Sequence, residues 1–326
     1  MLPRLLAVLS ASAALAGCMP DSFLITPVSS NRELVEDTLS KDPGLFVSDK
    51  VALIDVDGVI LNMEAPGLLR RGEHPVSLLT EQLDMARRDA SVKAVVLRIN
   101  SPGGSVTASE LMHDEITRYR KKTGKPVVAV MMDVAASGGY YIACACDEIV
   151  AQRSSVTGSI GVIMQMFDLT GTMYKLGIKA DAITSGENKA AGSPFKEMTP
   201  EQRELFHTMV GKMHEQFIDV VVAGRPKLTR EQILTLADGR VYTAQQALDA
   251  GLIDRIANMR ESVDLAKQKS GAKSIRLVAY RRPLGYKPNY YAHAPAAGSG
   301  DVNLIHLDLP EWLRAATPQF MYLWMP

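Results

Sequence analysis

Apolar, β-branched segments alternate with amphipathic segments along the body of this chain, and this alternation constrains the fold most strongly. Strand-like segments lie at 51–61, 92–99 and 127–132, while 77–88 and 107–122 have the apolar spacing of helices. A strand, a crossover helix and a second strand build a parallel sheet with helices packed outside it. We therefore predict an α/β fold with a mostly parallel sheet and crossover helices.

Composition and charge exclude several classes of protein. The chain is 47% hydrophobic and 22% charged, which excludes a disordered or collagen-like protein. Its 36 basic and 36 acidic residues give no net charge, so the basic excess of a nucleic-acid-binding protein is missing. Three cysteines are too few for a disulfide scaffold.

No metal or cofactor site is predicted. The histidines do not have the spacing of metal ligands; they are His74, His113, His207, His214, His293 and His306. We interpret Cys144 and Cys146 as small core residues on a predicted helix and not as nucleophiles, since side chains two positions apart on a helix diverge.

The amino terminus has the features of an export signal. An apolar stretch at 5–16, too short to span a bilayer comfortably, ends in Leu15-Ala-Gly-Cys18, which resembles a bacterial lipobox. We predict that residues 1–17 are a signal peptide and that Cys18 carries the lipid; an ordinary signal peptide containing a cysteine is the alternative. Such a protein is anchored facing the periplasm or the cell exterior. Met19 in place of aspartate favours the outer membrane over the inner one.

We divide the mature chain into three parts. Residues 18–45 are predicted to be a tether, 46–270 a catalytic domain and 271–326 a C-terminal extension. The extension carries apolar side chains that either pack on the chain's own body or form a partner surface.

Two glycine pairs follow predicted strands. Gly103-Gly104 follows 92–99, and Gly138-Gly139 follows 127–132. The carboxyl ends of parallel strands are where sites assemble, and glycines leave amide groups open to a ligand that carries negative charge. Each pair alone is more typical of a tight turn. Two pairs at the same predicted sheet edge leave a pair of tight turns and an oxyanion-binding site as equal alternatives.

Ser137 directly precedes the second pair, so it is either a helix N-cap or a nucleophile beside oxyanion donors. No Gly-x-Ser-x-Gly motif or triad-like histidine accompanies it. A lysine kept neutral by its surroundings could act as the base, but the residue pattern leaves open which lysine this is.

Several motifs together resemble the signal peptide peptidase A family, bacterial serine peptidases with a Ser/Lys dyad on a Clp-protease/crotonase-like fold. The matching segments, in the family's order, are 100–104, 136–143, 155–162, 185–194 and 239–254. The resemblance covers about 51–256 and is to the short, single-copy form. One departure is Ala190, where relatives often have aspartate.

The resemblance implies a role for each matching residue. Ser137 corresponds to the nucleophile, Lys189 to the general base and Ser159 to the residue that orients the lysine. The amides of Gly138 and Gly104 correspond to the oxyanion hole.

The function implied is a serine endopeptidase that needs no cofactor and cleaves membrane-derived or signal-peptide-like peptides. The tandem family members place the nucleophile and the lysine in different halves. A single-copy chain is therefore expected to form a homo-oligomer, in which the lysine of one protomer serves the serine of the next. Two alternatives remain. One is a catalytically silent scaffold lipoprotein. The other is a crotonase-like acyl-CoA enzyme, which an exported protein would lack the coenzyme to use.

Overall fold

The computed structural model describes residues 33–63, 73–282 and 320–324. The predicted signal peptide, Cys18 and most of the predicted C-terminal extension lie outside the described residues.

The described residues form twelve strands and eight helices. The strands are β1 (Val35–Lys41), β2 (Lys50–Asp57), β3 (Val92–Ser101), β4 (Gly103–Ser105), β5 (Val127–Ala136), β6 (Glu148–Ala151), β7 (Val156–Gly158), β8 (Ile163–Met164), β9 (Val241–Thr243), β10 (Arg255–Ile256), β11 (Arg276–Arg281) and β12 (Phe320–Leu323). The helices are α1 (Pro75–Arg88), α2 (Val106–Thr123), α3 (Gly138–Ala143), α4 (Thr170–Lys175), α5 (Pro200–Gly224), α6 (Arg230–Leu236), α7 (Ala244–Asp249) and α8 (Met259–Ser270).

The main sheet has the strand order β1-β11-β2-β3-β5-β6-β10, and β7 and β9 extend it beyond the end of β5. All neighbours along β11-β2-β3-β5-β6-β10 are parallel, as is the β5/β7 pair. The predicted mostly parallel α/β sheet is therefore confirmed. Its central strands are apolar on both faces because helices cover both sides.

Helix boundaries follow local capping chemistry. The Ser105 hydroxyl accepts a hydrogen bond from the Ala108 amide at the start of α2, and Gly124 ends that helix in the left-handed conformation. Thr199 forms a capping box with Gln202, and Pro200 occupies the first turn of α5. Helix α2 therefore begins directly after β4, and α5 begins after the segment that carries Lys189.

The predicted tether is wrong over part of its length. Residues 35–41 form β1, which pairs antiparallel with β11 at the edge of the main sheet. The sheet therefore begins before residue 46 and continues past residue 270, since β11 lies between β1 and β2.

The structure also decides between the two alternatives for the C-terminal extension and corrects one expectation about the cysteines. The described end of the predicted C-terminal extension is β12, which pairs with β4 and β8 in a three-stranded antiparallel sheet and buries Tyr322. The extension therefore packs on the chain's own body over these residues. Cys144 and Cys146 are buried as expected, but helix α3 ends at Ala143, before both of them.

No helix among the described residues is long and apolar enough to cross a membrane.

Candidate active site

The two glycine pairs meet at the carboxyl ends of β3 and β5. A methyl carbon added to Gly138 would lie 3.2 Å from the Gly104 amide nitrogen, and one added to Gly103 would lie 2.7 Å from the Gly138 amide nitrogen. Any side chain at these positions would fill the space between the two backbones. The prediction that both pairs share one sheet edge is confirmed.

The Gly104 amide faces away from the neighbouring Ile60 segment. Ser105 donates its amide proton to the Ile60 carbonyl at 2.8 Å, and Ile60 donates to the Gly103 carbonyl at 2.9 Å. Successive peptide groups of an extended strand point in opposite directions. The Gly104 N–H therefore points to the opposite side of β4. The Gly138 N–H also lacks an intrahelical acceptor, because Gly138 is the first residue of α3.

Ser137 occupies a strained turn between β5 and α3. Its φ of 55° is in the region that non-glycine residues rarely adopt, and it is 1% exposed. Its backbone is held by a 2.7 Å hydrogen bond from its amide to the Gly158 carbonyl. The hydroxyl does not cap the helix and has no hydrogen-bond partner among the described residues. Ser137 therefore occupies the N-cap position of α3, but its hydroxyl does not act as the cap.

Ser159 lies beside Ser137. Strands β5 and β7 are parallel and pair Ala136 with Gly158. Ser137 and Ser159 are therefore the next residues of two neighbouring backbone segments, which lie about 5 Å apart. Ser159 is 7% exposed with a φ of 50°, and its amide donates to the Arg240 carbonyl at 2.8 Å. The two serines are the only non-glycine residues with positive φ among the described residues.

Lys189 lies elsewhere on the surface of the described chain. It is exposed, in a run of turns that contains the 3.1 Å hydrogen bond from its amide to the Gly186 carbonyl. Gln202 of α5 holds this segment by donating to the Glu187 carbonyl at 3.0 Å. No hydrogen bond among the described residues joins the Lys189 ammonium to Ser137 or Ser159. The structure thus brings together Ser137, Ser159 and the glycines but not the predicted base.

Other nucleophile and metal candidates have no part in this cluster. Burial raises the pKa of the Cys144 thiol to about 12 and also raises the pKa of Cys146, so both stay protonated. No group of three or more His, Cys, Asp or Glu side chains that could hold a metal lies within the described ranges.

A buried brace supports helix α3, which follows Ser137, and sequence reasoning did not identify it. The Tyr140 hydroxyl donates to the Leu252 carbonyl at 2.8 Å. Two residues later, Asp254 binds the Arg225 guanidinium through both of its oxygens, at 2.6 and 2.9 Å. Burial alone would raise the pKa of Asp254, but Arg225 and the Ile149 amide hold it below its usual range. Asp254 is the last residue of the Gly-Leu-Ile-Asp motif, and this motif is the sequence feature that could have indicated the brace.

Sequence reasoning also missed the contact of β12 with this site. Its register pairs Tyr322 with Gly104, and Trp324 donates its amide proton to the Pro102 carbonyl at 2.9 Å. A four-residue strand far along the chain has no periodicity that could have indicated this pairing.

Comparisons with known proteins identify a family and several similar chains. Residues 119–273 match the family described as "Peptidase family S49". "Protease 4" of Haemophilus influenzae is 35% identical over 222 residues, which cover 68% of this chain and 35% of that protein. "Serine protease SPPA, chloroplastic" of Arabidopsis thaliana is 34% identical over 245 residues, or 74% of this chain and 36% of that protein.

The relatives differ in length. This chain spans only about a third of those two relatives, but it covers 72% of the "Putative signal peptide peptidase SppA" of Enterococcus faecium, with 31% identity over 251 residues. The Clp-protease/crotonase-like fold predicted above is the fold of this peptidase family, and it is confirmed. Because the family match and the extended similarity to a relative of comparable length agree, this chain belongs to Peptidase family S49, the family of the signal peptide peptidases A.

Proposed function

We propose that this protein is a serine endopeptidase in which Ser137 is the nucleophile, Lys189 the general base and Ser159 the residue that orients the lysine. The amides of Gly138 and Gly104 form the oxyanion hole. The observation that carries the proposal is Ser137 itself, whose backbone is strained and whose buried hydroxyl has no hydrogen-bond partner among the described residues. It lies beside two glycine backbones packed against each other.

The mechanism has two halves. Neutral Lys189 takes the proton of Ser137 as the hydroxyl oxygen attacks a peptide carbonyl, and the oxyanion accepts hydrogen bonds from the two amides. Protonated Lys189 then gives its proton to the leaving amine, which leaves an acyl group on Ser137. Water repeats the sequence on the acyl-enzyme and releases the new carboxyl terminus.

Lys189 reaches Ser137 from a neighbouring protomer in this proposal. Its exposed position supports a shared site, as does the observation that no side chain among the described residues forms a hydrogen bond with the Ser137 hydroxyl. The segment that carries it exposes many large apolar side chains, as an oligomer interface would; these include Leu169, Tyr174, Leu176, Ile178, Ile183 and Phe195. Such head-to-tail contacts close into a ring.

The substrates proposed are membrane-derived or signal-peptide-like peptides, and the protein is proposed to be lipid-anchored through Cys18, facing the periplasm or the cell exterior and favouring the outer membrane. The lipobox-like sequence supports the anchor. The names of the Enterococcus and Arabidopsis relatives support the substrate class and the serine mechanism, respectively.

A mixing experiment tests the dyad and the shared site together. Ser137→Ala and Lys189→Ala should each abolish peptide hydrolysis and leave the circular dichroism spectrum unchanged. Mixed and co-assembled, the two inactive variants should regain partial activity, because some interfaces pair an intact serine with an intact lysine. Confirmed co-assembly without activity would place the dyad within one chain.

Labelling separates the peptidase from the alternatives. A serine-directed fluorophosphonate should modify wild-type protein at Ser137, and the Ser137→Ala variant should not react. Absence of labelling in wild-type protein would favour a silent scaffold. Hydrolysis of an acyl-CoA thioester, without peptide hydrolysis, would favour the crotonase-like alternative.

A further inference from the structure

The loop between β1 and β2 exposes two neighbouring large apolar side chains. Leu45 is 91% exposed and Phe46 is 96% exposed, while the next residue along the chain is buried. The start of the loop is fixed by Asp42, whose carboxylate accepts hydrogen bonds from the Ile275 amide at 3.0 Å and from the Lys267 ammonium at 2.6 Å. Single exposed apolar residues are ordinary, but adjacent ones held in a fixed loop indicate a surface that contacts something apolar.

Positive charge is concentrated at the same edge of the sheet. Strands β11, β2, β3 and β5 are consecutive and parallel, so their amino ends form the edge opposite the candidate site. The connection that enters each strand runs from the last turn of the preceding helix, or from the last residue of β1, to the first residue of the strand. The four connections are 41–50, 85–92, 120–127 and 267–276. They contain twelve basic and three acidic residues, whereas the whole chain has 36 of each.

Five of these cations have no ion-pair partner among the described residues. The acidic residues of the four connections are all paired: Asp42 with Lys267, Asp49 with Lys93, and Asp89 with Lys50. Two carboxylates at the start of β6 pair with two more cations: Asp147 with Arg120, and Glu148 with Lys269. The cations that are exposed and unpaired are Lys41, Arg88, Lys121, Lys122 and Lys273. This edge therefore keeps positive charge after its own carboxylates are neutralised.

Hydrogen bonds join these connections to the apolar loop. The bond from the Ile275 amide holds the turn after α8 beside the start of the loop. At the other end of the loop, the Lys50 amide donates to the Ser91 carbonyl at 2.8 Å, in the connection after α1. The Lys125 ammonium donates to the Asp89 carbonyl at 2.9 Å, which brings the end of α2 to the same place. The two exposed apolar side chains and the five unpaired cations thus form one surface, which we name the basic edge.

The basic edge matches the chemistry of an anionic phospholipid bilayer. Lipid phosphates attract cations near the membrane surface, and the boundary between headgroups and acyl chains buries apolar side chains. Cations in the last turn of a helix also stabilise its dipole. That effect does not account for Lys41 and Lys273, which lie outside helices, or for the exposure of Leu45 and Phe46.

The proposed lipid anchor makes a bilayer the partner within reach. Because β1 is antiparallel to β11, it crosses the sheet from the catalytic edge to the basic edge, over a length of about 23 Å. The segment 18–33 can span at most about 50 Å when extended. An anchor at Cys18 therefore leaves enough chain for the basic edge to reach the membrane surface.

We propose that the basic edge docks on an anionic phospholipid bilayer, with Leu45 and Phe46 inserted at the boundary of headgroups and acyl chains and the cations against lipid phosphates. The inference goes beyond the proposed peptidase activity and does not depend on it. One short loop and five cations give weak, reversible binding, so this surface orients an anchored protein and does not replace the anchor. Ser137 follows the opposite end of β5, so the catalytic edge faces away from the bilayer.

Vesicle binding tests the proposal on protein that carries no lipid of its own. The predicted mature chain with Cys18→Ser, which keeps every described element, should sediment with vesicles of equal parts phosphatidylglycerol and phosphatidylcholine and much less with phosphatidylcholine alone. Leu45→Ser/Phe46→Ser should weaken binding to the anionic vesicles at least tenfold, because the inserted side chains are lost. Lys121→Gln/Lys122→Gln should also weaken it at least tenfold, since each cation near an anionic surface contributes about fivefold.

Two exposed cations on another element provide the matched control. Arg203→Gln/Lys212→Gln removes the same charge from α5 and should leave the vesicle affinity unchanged. Raising the salt from about 0.1 M to about 1 M shortens the Debye length from about 10 Å to about 3 Å and should weaken binding of the parent protein. Equal affinity of the parent and the Leu45→Ser/Phe46→Ser variant, with unchanged circular dichroism, would overturn the proposal. Absence of binding to the anionic vesicles would also overturn it.

A fluorescent probe reports whether the loop enters the bilayer. Bimane attached at Phe46→Cys should shift its emission to shorter wavelength on anionic vesicles. The same label at Leu234→Cys on α6, where the native side chain is also exposed, should not shift. The buried Cys144 and Cys146 do not compete for the label. An unshifted emission at Phe46→Cys, in labelled protein that sediments with the vesicles, would refute insertion of the loop.

Two further measurements separate this surface from other roles. In catalytically intact protein, Leu45→Ser/Phe46→Ser should leave the hydrolysis rate of a soluble peptide unchanged, so membrane docking and peptidase activity can each fail without the other. An altered oligomeric state of this variant, with unchanged vesicle affinity, would assign the loop to an interface between copies of the chain and overturn the proposal.

Discussion

Replacing Gly104 with alanine is the sharpest test of the oxyanion hole, because it adds one methyl group and removes no functional group. The added carbon would lie 1.8 Å from the Ile60 carbonyl oxygen and 2.5 Å from its carbonyl carbon. These are backbone atoms, held in place by the hydrogen bonds between Ile60 and its neighbours Gly103 and Ser105. No side chain can rotate out of the way, so β4 itself has to move.

The size of that movement sets the expected effect. Ordinary contacts begin at 3.4 Å, so the Gly104 amide must move by roughly 1 Å or more, and a misplacement of about 1 Å can cost about 100-fold in rate. Loss of one oxyanion donor raises the activation free energy by about 3 kcal/mol, which corresponds to roughly the same 100-fold loss of rate. We expect Gly104→Ala to lower kcat about 100-fold and stability by about 1–3 kcal/mol, the usual range for overpacking.

Peptide hydrolysis and thermal unfolding, measured on the same preparations, check both effects. The control is Gly211→Ala, the same chemical change in the middle of α5, where nothing lies within 4 Å of the added carbon. It should raise stability by about 0.5–1 kcal/mol and leave kcat unchanged. A folded Gly104→Ala variant with the kcat of wild type would refute the assignment of this amide to the oxyanion hole.

Three further predictions concern the dyad, the anchor and the brace. Ser159→Ala should lower kcat by about tenfold, less than loss of the dyad, because it removes an orienting hydrogen bond and not the base; a Ser159→Ala variant with the kcat of wild type would contradict this role. Cys18→Ser should release the protein from membranes, and mass spectrometry of an unmodified mature amino terminus at another residue would exclude the lipobox. Asp254→Asn should destabilise the protein near neutral pH. Because Arg225 lowers the Asp254 pKa, folded protein binds fewer protons there than unfolded protein. The stabilisation is therefore present above the ordinary value of 3.8 and lost as pH falls through the lowered one, so urea melts of the two proteins should converge in acid.

Much of the fold could be predicted because its signals are local. Long β-branched runs such as 92–99 are strands wherever they are buried, and Thr199 with Pro200 starts a helix whatever follows. Parallel strands align their carboxyl ends, so the sequence places two glycine pairs that follow neighbouring strands at one edge of the sheet. Ser137 was found in the same way.

Pairings between distant residues depended on the tertiary structure. The sequence predicts a tether over 35–41 because this short polar segment has no periodic spacing of apolar residues. It is a strand because it pairs with β11 at the edge of the sheet. The same holds for β12, whose four residues acquire their role from β4 and β8.

The same distinction between sequence and tertiary structure applies to the candidate site. The amino-acid sequence alone determined which residues are candidates for the chemistry, since residue type and spacing are properties of the chain: Ser137, Ser159 and the glycines are all identified from motifs. Only the tertiary structure decided their surroundings, because burial and backbone strain depend on what packs against them. Within the described part of the chain it left the Ser137 hydroxyl without a hydrogen-bond partner, exposed Lys189 on the surface and paired Tyr322 with Gly104.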